Sequence, residues 1–421
     1  MFKKITLDNG LRIITVPKQD SLAVTVLVLV EAGSKYETKD INGISHFLEH
    51  MCFKGTEKRP RAIDIASELD GIGASYNAFT SLEYTGYYVK TEPKRFDVAL
   101  DVVSDIYLNQ TLAAEEIDKE RGVIIEEINM YEDLPMRKVQ DLFLELLYGD
   151  QPAGWDVAGK KEIIQKLTRD DFLKYKSEHY LPQSTIIVVA GQFSESEAVD
   201  KVKQAFSQIK LSPKSGKEKT KEEQENPKTL VKFKETDQAH LVVGIRAFDI
   251  FDKRRYALEV LSDILGGGMS SRLFQKIREE MGAAYYVHSS ADLYTDHGYL
   301  AAACGIDKNK INEVTEAILE EFRKLAGKPV EQDELQRAKD HLTGGMMLSL
   351  ETSDSLANFC GGQEVLTGKV TAPQELADKI QAVTSEEIMS VAQDIFKNDR
   401  LNLALIGPFK DKNEFDKLLR L

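Results

Sequence analysis

Cysteine is scarce. The three residues Cys52, Cys304 and Cys360 are odd in number and widely scattered over 421 residues, which excludes a disulfide-built scaffold and points to reduced thiols. Positive charge is also in deficit: 55 Lys and Arg stand against 69 Asp and Glu, a formal charge of −14. Phosphate recognition needs clustered surplus cations, so a nucleic-acid partner is excluded. No apolar run approaches the roughly 18 residues of a membrane span. Met1 to Val16 interleaves Lys, Asp and Arg with short apolar stretches and lacks the uninterrupted apolar stretch of a secretory signal. A cytoplasmic, soluble protein with no membrane partner is expected. Histidine is sparse as well, at seven residues, so any close pairing of two carries information.

What is present reads as globular. Apolar residues make up 42% and charged residues 29%, ordinary proportions for a folded protein, and the length suits about two domains. The stretch from Leu211 to Lys228 is dominated by Lys, Glu, Ser, Pro and Gln and reads as an exposed linker. It separates an N-terminal domain, 1–210, from a C-terminal domain, 229–421.

The two halves resemble each other. The first shows a β-rich run from Ala23 to Glu31, a helix through His46, Gly73-Ala74-Ser75-Tyr76, a strand near Tyr84 to Val89 and an amphipathic helix from Pro93 to Leu108. The second repeats that order with a strand from His240 to Arg246, a helix from Arg254, Gly282-Ala283-Ala284-Tyr285, a strand from Gly298 to Cys304 and a helix from Lys308 to Leu325. Ile186 to Gly191 parallels Asn402 to Gly407. A duplicated α/β domain follows. At an offset of 210, His46, Glu49 and His50 fall opposite Tyr256, Glu259 and Val260, so only the first half keeps the histidines.

Those histidines lie in Ser45 to Phe53, where Asn42-Gly43 can start a helix and Ile44, Phe47, Leu48 and Met51 suit a packed helical turn. Four residues apart on a helix, His46 and His50 share a face. Two imidazoles so placed can reach one tetrahedral zinc at about 2.0–2.1 Å, and Glu49 projects to the same side, able to take a proton from water that the metal has made acidic. The same spacing also serves two histidines that only cap or pack. A catalytic zinc usually takes a third protein ligand and keeps one position open. The acidic helical segment from Ala113 to Tyr131 offers Glu120 and Glu127, seven apart and on one face, with Glu126 about 100° away from Glu127. A solvated charged face has the same spacing. Cys52, two residues past His50, turns roughly 200° away and reads as a small buried hydrophobe.

The chain resembles the pitrilysin family of inverzincins, and within it the short two-domain branch that includes bacterial processing proteases and the mitochondrial processing peptidase. The resemblance rests on His46-Phe47-Leu48-Glu49-His50-Met51, Phe53-Lys54-Gly55-Thr56, and Glu127 lying 77 positions after His50, with Glu120 seven before it. Leu7-Asp8-Asn9-Gly10-Leu11, Asn77-Ala78-Phe79-Thr80 and His179-Tyr180-Leu181-Pro182 are similar too, and the likeness spans essentially the whole chain. It implies one zinc per chain on His46, His50 and Glu127, Glu49 as general base, and Glu120 as an auxiliary carboxylate holding a ligand histidine. It implies further that Asn77 and Ala78, just before a strand, mark an edge where a peptide adds by main-chain hydrogen bonds. Arg278 is implied to grip a substrate carbonyl, and Tyr285 to stabilise the oxyanion. Gly266-Gly267-Gly268 resembles the family's glycine-rich loop; no Gly-Lys-Ser or Gly-Lys-Thr follows it, so it is no phosphate cradle.

The fold so implied is two α/β domains, each a mostly antiparallel sheet with helices packed on one face. Two chains would close as a clam-shell homodimer around a cavity, with Arg278 and Tyr285 serving the partner chain's zinc. The reaction would be hydrolysis of unfolded peptides or precursor segments. The alternative is a non-catalytic or partner-dependent subunit of a hetero-oligomeric processing peptidase. Intact His46, Glu49, His50 and Glu127 argue against it, since a purely structural chain has no use for them.

Overall fold

The computed structural model describes residues 2–209 and 211–421; Met1 and the domain boundary expected at Lys210 lie outside these residues. The first half carries strands β1 (Lys3–Thr6), β2 (Arg12–Pro17), β3 (Val24–Val30), β4 (Ser75–Thr80), β5 (Thr85–Thr91) and β6 (Thr185–Gly191). Its helices are α1 (Ile44–Met51), α2 (Ala62–Asp70), α3 (Phe96–Leu108), α4 (Ala114–Asp133), α5 (Pro135–Tyr148), α6 (Lys161–Ile164), α7 (Arg169–His179) and α8 (Glu195–Ala205). The second half has β7 (Lys228–Phe233), β8 (Gln238–Ala247), β9 (Ala284–Leu293), β10 (Gly298–Asp307) and β11 (Leu401–Gly407). With them come α9 (Arg255–Gly266), α10 (Ile311–Gly327), α11 (Gln332–Ser349), α12 (Ser353–Thr367), α13 (Pro373–Gln381), α14 (Ser385–Ile395) and α15 (Asn413–Asp416).

The first sheet runs β1-β2-β6-β3-β5-β4 and the second β7-β11-β8-β10-β9. Every pairing is antiparallel except β2 with β6 and β7 with β11. With β1 set aside, the two orders coincide strand for strand, so the duplication legible in the sequence is a duplication of topology.

Helices, expected on one face of each sheet, lie on both. In the first sheet Val24, Val26, Val28 and Val30 of β3 join a core with Ala99, Val102 and Val103 of α3. The opposite face, with Leu27, Leu29, Ile186 and Val188, is covered by Ala357, Cys360 and Val365 of α12. The reason is in the strands themselves: β3 and β6 read VTVLVLV and TIIVVAG, buried at every position. Such runs lack the alternation of a half-solvated strand and need cover on both sides. The second sheet repeats the arrangement. Leu241, Val243 and Ile245 of β8 pack with α9, α10 and α14, while Val242, Ala301 and Ala404 pack under Val139, Leu142 and Phe143 of α5.

Each half of the chain therefore lends a helix to the other half's sheet. One compact unit comprises the chain up to Asn129, Trp155–Glu218 and Met347–Ala372; the other comprises Met130–Gly154, Lys219–Met346 and Pro373–Leu421. The segment 211–227 forms neither helix nor strand and is largely exposed, yet it is pinned. Lys214 pairs with Glu31 and Lys217 with Glu83, the Thr220 amide donates to Asp296 at 2.9 Å, and the Lys221 amide donates to Gln151 at 2.8 Å.

Candidate metal centre

Helix α1 begins at Gly43, whose φ of 96° is left-handed. A Cβ there would lie 2.7 Å from the Ala158 carbonyl oxygen, so glycine is required on both counts. Gly43 has no side chain to cap the helix, and a residue six positions upstream does so. Glu37 accepts from the Gly43 amide (2.8 Å) and the Asn42 side-chain amide (2.9 Å) through Oε2, and from the Ser45 amide (2.8 Å) through Oε1. Its burial pushes the carboxyl up to about 7 although these donors favour the ionised form. Ser45 and Tyr175 share a hydroxyl hydrogen bond of 2.7 Å. With Ile44, Phe47, Leu48 and Met51 buried, the helix cannot rotate, and His46, Glu49 and His50 are left partly exposed on its other side.

His46, His50 and Glu127 converge: one donor atom from each lies within 4.8 Å of the other two, the one such group of three or more His, Cys, Asp or Glu among the described residues. The Nε2 atoms of both histidines are 3.5 Å from Glu127 Oε2. A tetrahedral ion with ligands at about 2.0–2.1 Å spaces them about 3.3–3.4 Å apart, so donor chemistry and spacing both fit zinc. Helix α4 brings Glu127 here and Glu120 behind it. Glu120, 4% exposed, accepts from His50 Nδ1 at 2.9 Å and pairs with Lys54 at 2.5 Å. That contact places the Nδ1 proton of His50 and frees Nε2 as a donor atom. Among the described residues, His46 Nδ1 is buried without a hydrogen-bond partner. Glu126 is exposed, bonded to Asn129 at 3.2 Å, and stands outside the group.

The electrostatics suit a cation. Burial, with the neighbouring His50, lowers His46 to about 4, so the ring is neutral and ready to ligate at neutral pH. Burial also acts to lower His50, but the Glu120 hydrogen bond and the surrounding carboxylates outweigh it and raise it. Burial raises Glu49, opposed by the Thr80 hydroxyl, which donates to Oε2 at 2.6 Å. For Glu120 burial alone would raise the carboxyl, and the bonds from His50 and Lys54 hold it lowered.

Asn77 and Ala78, expected just before a strand, lie inside β4, because Tyr76, Phe79 and Thr80 favour extended backbone and the turn at Gly71-Ile72-Gly73 ends at Ala74. Among the described residues strand β4 is the edge of its sheet, paired only with β5, and the Asn77 side chain accepts from the Ala78 amide at 2.9 Å. Arg278 sits in a π-helical stretch, Phe274–Glu280, a rare winding frequent at functional sites. Its guanidinium lies over Phe274 (4.9 Å) and Tyr285 (5.6 Å). Tyr285, 76% exposed, lies near the start of β9, the edge of the second sheet. Cys52 is fully buried and accepts from Gln110 at 2.9 Å.

The residues missed by sequence reasoning are Glu37, Lys54 and Thr80. Lys54 and Thr80 stand inside stretches singled out for their resemblance, Phe53-Lys54-Gly55-Thr56 and Asn77-Ala78-Phe79-Thr80. The signal for Glu37 was faint: an acidic residue shortly before an Asn-Gly helix start.

Residues 12–161 match the model of insulinase, peptidase family M16, and residues 166–342 match that of the peptidase M16 inactive domain. The chain is 38% identical to an uncharacterised zinc protease of Bacillus subtilis, over 97% of this chain and 98% of that protein. Among solved structures it is similar to a protease from Helicobacter pylori (TM-score 0.91, 24% identity, 97% of this chain and 99% of that one). It has the same fold as a chain of Complex III2 from Candida albicans (TM-score 0.85, 16% identity, all of both chains).

Proposed function

The chain belongs to peptidase family M16, and from that premise we propose that it is a zinc-dependent endopeptidase acting on unfolded peptides or precursor segments. The observation that carries this reading is the convergence of His46, His50 and Glu127 with Glu49 on the same helix side. Zinc held there, one per chain, would supply a Lewis acid and bring the pKa of a water towards 7. Glu49, held by Thr80 through one oxygen, keeps the other free to take the proton from the attacking water and return it to the leaving amine. The edge of β4 at Asn77 and Ala78 receives the peptide backbone, a mode of recognition that would tolerate many side chains. The exposed Tyr285 hydroxyl donates to the developing oxyanion, and Arg278, stacked on the same ring, grips a neighbouring carbonyl.

A closed homodimer is part of this proposal, with Arg278 and Tyr285 completing the partner chain's site, as is a cytoplasmic location; no helix among the described residues is long and apolar enough to cross a membrane. The alternative, a non-catalytic or partner-dependent subunit, draws on the fold's presence in Complex III2, but fold alone does not set function, and the metal group is complete here. The deciding experiment is mass spectrometry of a mixed peptide library incubated with the zinc-loaded chain. Internal cuts that vanish on chelation and in Glu49→Gln are expected. An uncut library at one bound zinc per chain would favour the subunit reading.

A further inference from the structure

Thr80 joins two parts of the site, the edge strand and the helix that carries Glu49. It ends β4, the edge strand that carries Asn77 and Ala78, and its hydroxyl donates to Glu49 Oε2 at 2.6 Å. Thr80 faces Thr85 across the β4–β5 ladder; the Thr85 hydroxyl lies 3.4 Å from that of Thr80 and donates to the Ala32 carbonyl at 2.8 Å. The hydroxyl of Thr80 is thereby held over Glu49 by the sheet itself. A second link, Phe53 against Tyr76 with ring centroids 6.3 Å apart, ties the chain just past the end of α1 to the same strand.

From this geometry we infer that Thr80 is a positioning residue: it fixes the Glu49 carboxylate to the strand on which the substrate backbone lies, so that the base and the scissile bond share one frame. The inference rests on the peptidase reading for its catalytic consequence and on the contact alone for its structural part. Three strand residues from Asn77 to Thr80 span about 10 Å. A peptide paired along β4 is thus placed relative to Glu49 through three backbone steps and one hydrogen bond. The hydroxyl stabilises the ionised carboxylate and so does nothing for its basicity; its use is orientation. Without it Oε2 is released and the carboxylate can turn away from the water it must deprotonate. Misplacement on that scale lowers turnover and leaves backbone binding at the edge intact.

The test uses Thr80→Val, which keeps the shape and deletes the hydroxyl, and Thr80→Ser, which keeps the hydroxyl. With a quenched fluorescent peptide, Thr80→Val is expected to lower kcat about 10–100-fold while KM and zinc content stay within about twofold, and Thr80→Ser to restore most of kcat. A loss confined to KM, an unchanged kcat, or a Thr80→Ser variant as impaired as Thr80→Val would overturn the inference. Urea unfolding of the metal-free protein supplies a readout independent of activity. Thr80→Val should lower the midpoint in the wild-type background and have a smaller effect beside Glu49→Leu, where the acceptor is gone. Equal effects in both backgrounds would refute the contact. If the wild type cuts no peptide, the peptidase reading fails while the unfolding cycle still decides whether Thr80 holds Glu49.

Discussion

Glu49 and Glu127 are both carboxylates beside the same histidines, and their roles separate on geometry. Glu127 Oε2 stands 3.5 Å from both Nε2 atoms, whereas Glu49 is turned to Thr80. Glu49→Gln should therefore keep zinc at one equivalent and keep the fold, and should lower cleavage by about 10²–10⁴-fold as loss of a general base does; loss of metal in that variant, read by atomic absorption, would make Glu49 a ligand. Glu127→Ala should instead lose zinc, and Glu126→Ala should not, since Glu126 is bonded to Asn129 at the surface. Glu120→Ala removes the acceptor of the His50 Nδ1 proton and should weaken zinc about 10–100-fold without abolishing binding. A competition titration against a chromogenic chelator orders the three, and equal affinities for Glu120→Ala and wild type would remove Glu120 from the site.

At the scale of the element, the short helix α1 is held in place by a carboxylate that is not part of it. The unpaired amides at its start are satisfied by Glu37 instead of by an N-cap side chain. Because burial raises the folded-state pKa of Glu37 to about 7 from an ordinary 4.5, the native state binds its proton more tightly than the unfolded chain. That contribution to stability is complete below about pH 4.5 and is lost as pH rises through about 7, a change of up to roughly 3 kcal/mol. In Glu37→Gln the contribution is absent. Metal-free wild type should therefore lose stability relative to Glu37→Gln as pH rises from 4.5 to 8, read from unfolding midpoints, other titrating groups cancelling in the difference; parallel curves would show that Glu37 does not titrate in this window.

For the whole molecule, the proposed homodimer makes a quantitative prediction. Glu49→Gln removes the proposed base, and Arg278→Ala with Tyr285→Phe removes the proposed substrate grip. When subunits exchange freely, about half the dimers are mixed. If each site draws its Arg-Tyr pair from the partner, one of the two sites in a mixed dimer is intact, and roughly a quarter of wild-type activity should return. If each chain completes its own site, every site keeps one defect and activity stays at the level of the separate variants. Differently tagged chains verify the exchange. An enclosed site should also cut casein fragments and spare a stable folded domain, and rapid cleavage of the latter would argue for an open one.

The two pieces of the candidate metal group were legible in the sequence because each is local or periodic, while the choice of Glu127 to join the histidines came from the family resemblance. His46, Glu49 and His50 lie within five residues, so helical geometry alone puts them on one side, and Glu120 and Glu127 share a helix face two turns apart. The duplicated topology was legible for the same reason, as repeated order needs no knowledge of contacts. Meeting of the two helices was not legible, since it depends on packing against the first sheet; only there do the histidine nitrogens and the Glu127 oxygen come within 4.8 Å. Nor was the cover on the second face of each sheet. The uninterrupted runs of β3 and β6 demanded a partner, but its supply by α12, more than 150 residues further on, is a long-range choice among many apolar helix faces. Glu37 and Thr80 stayed hidden likewise. A carboxylate and a hydroxyl are common side chains, and what makes these two matter is a hydrogen bond whose partners only the folded chain brings together.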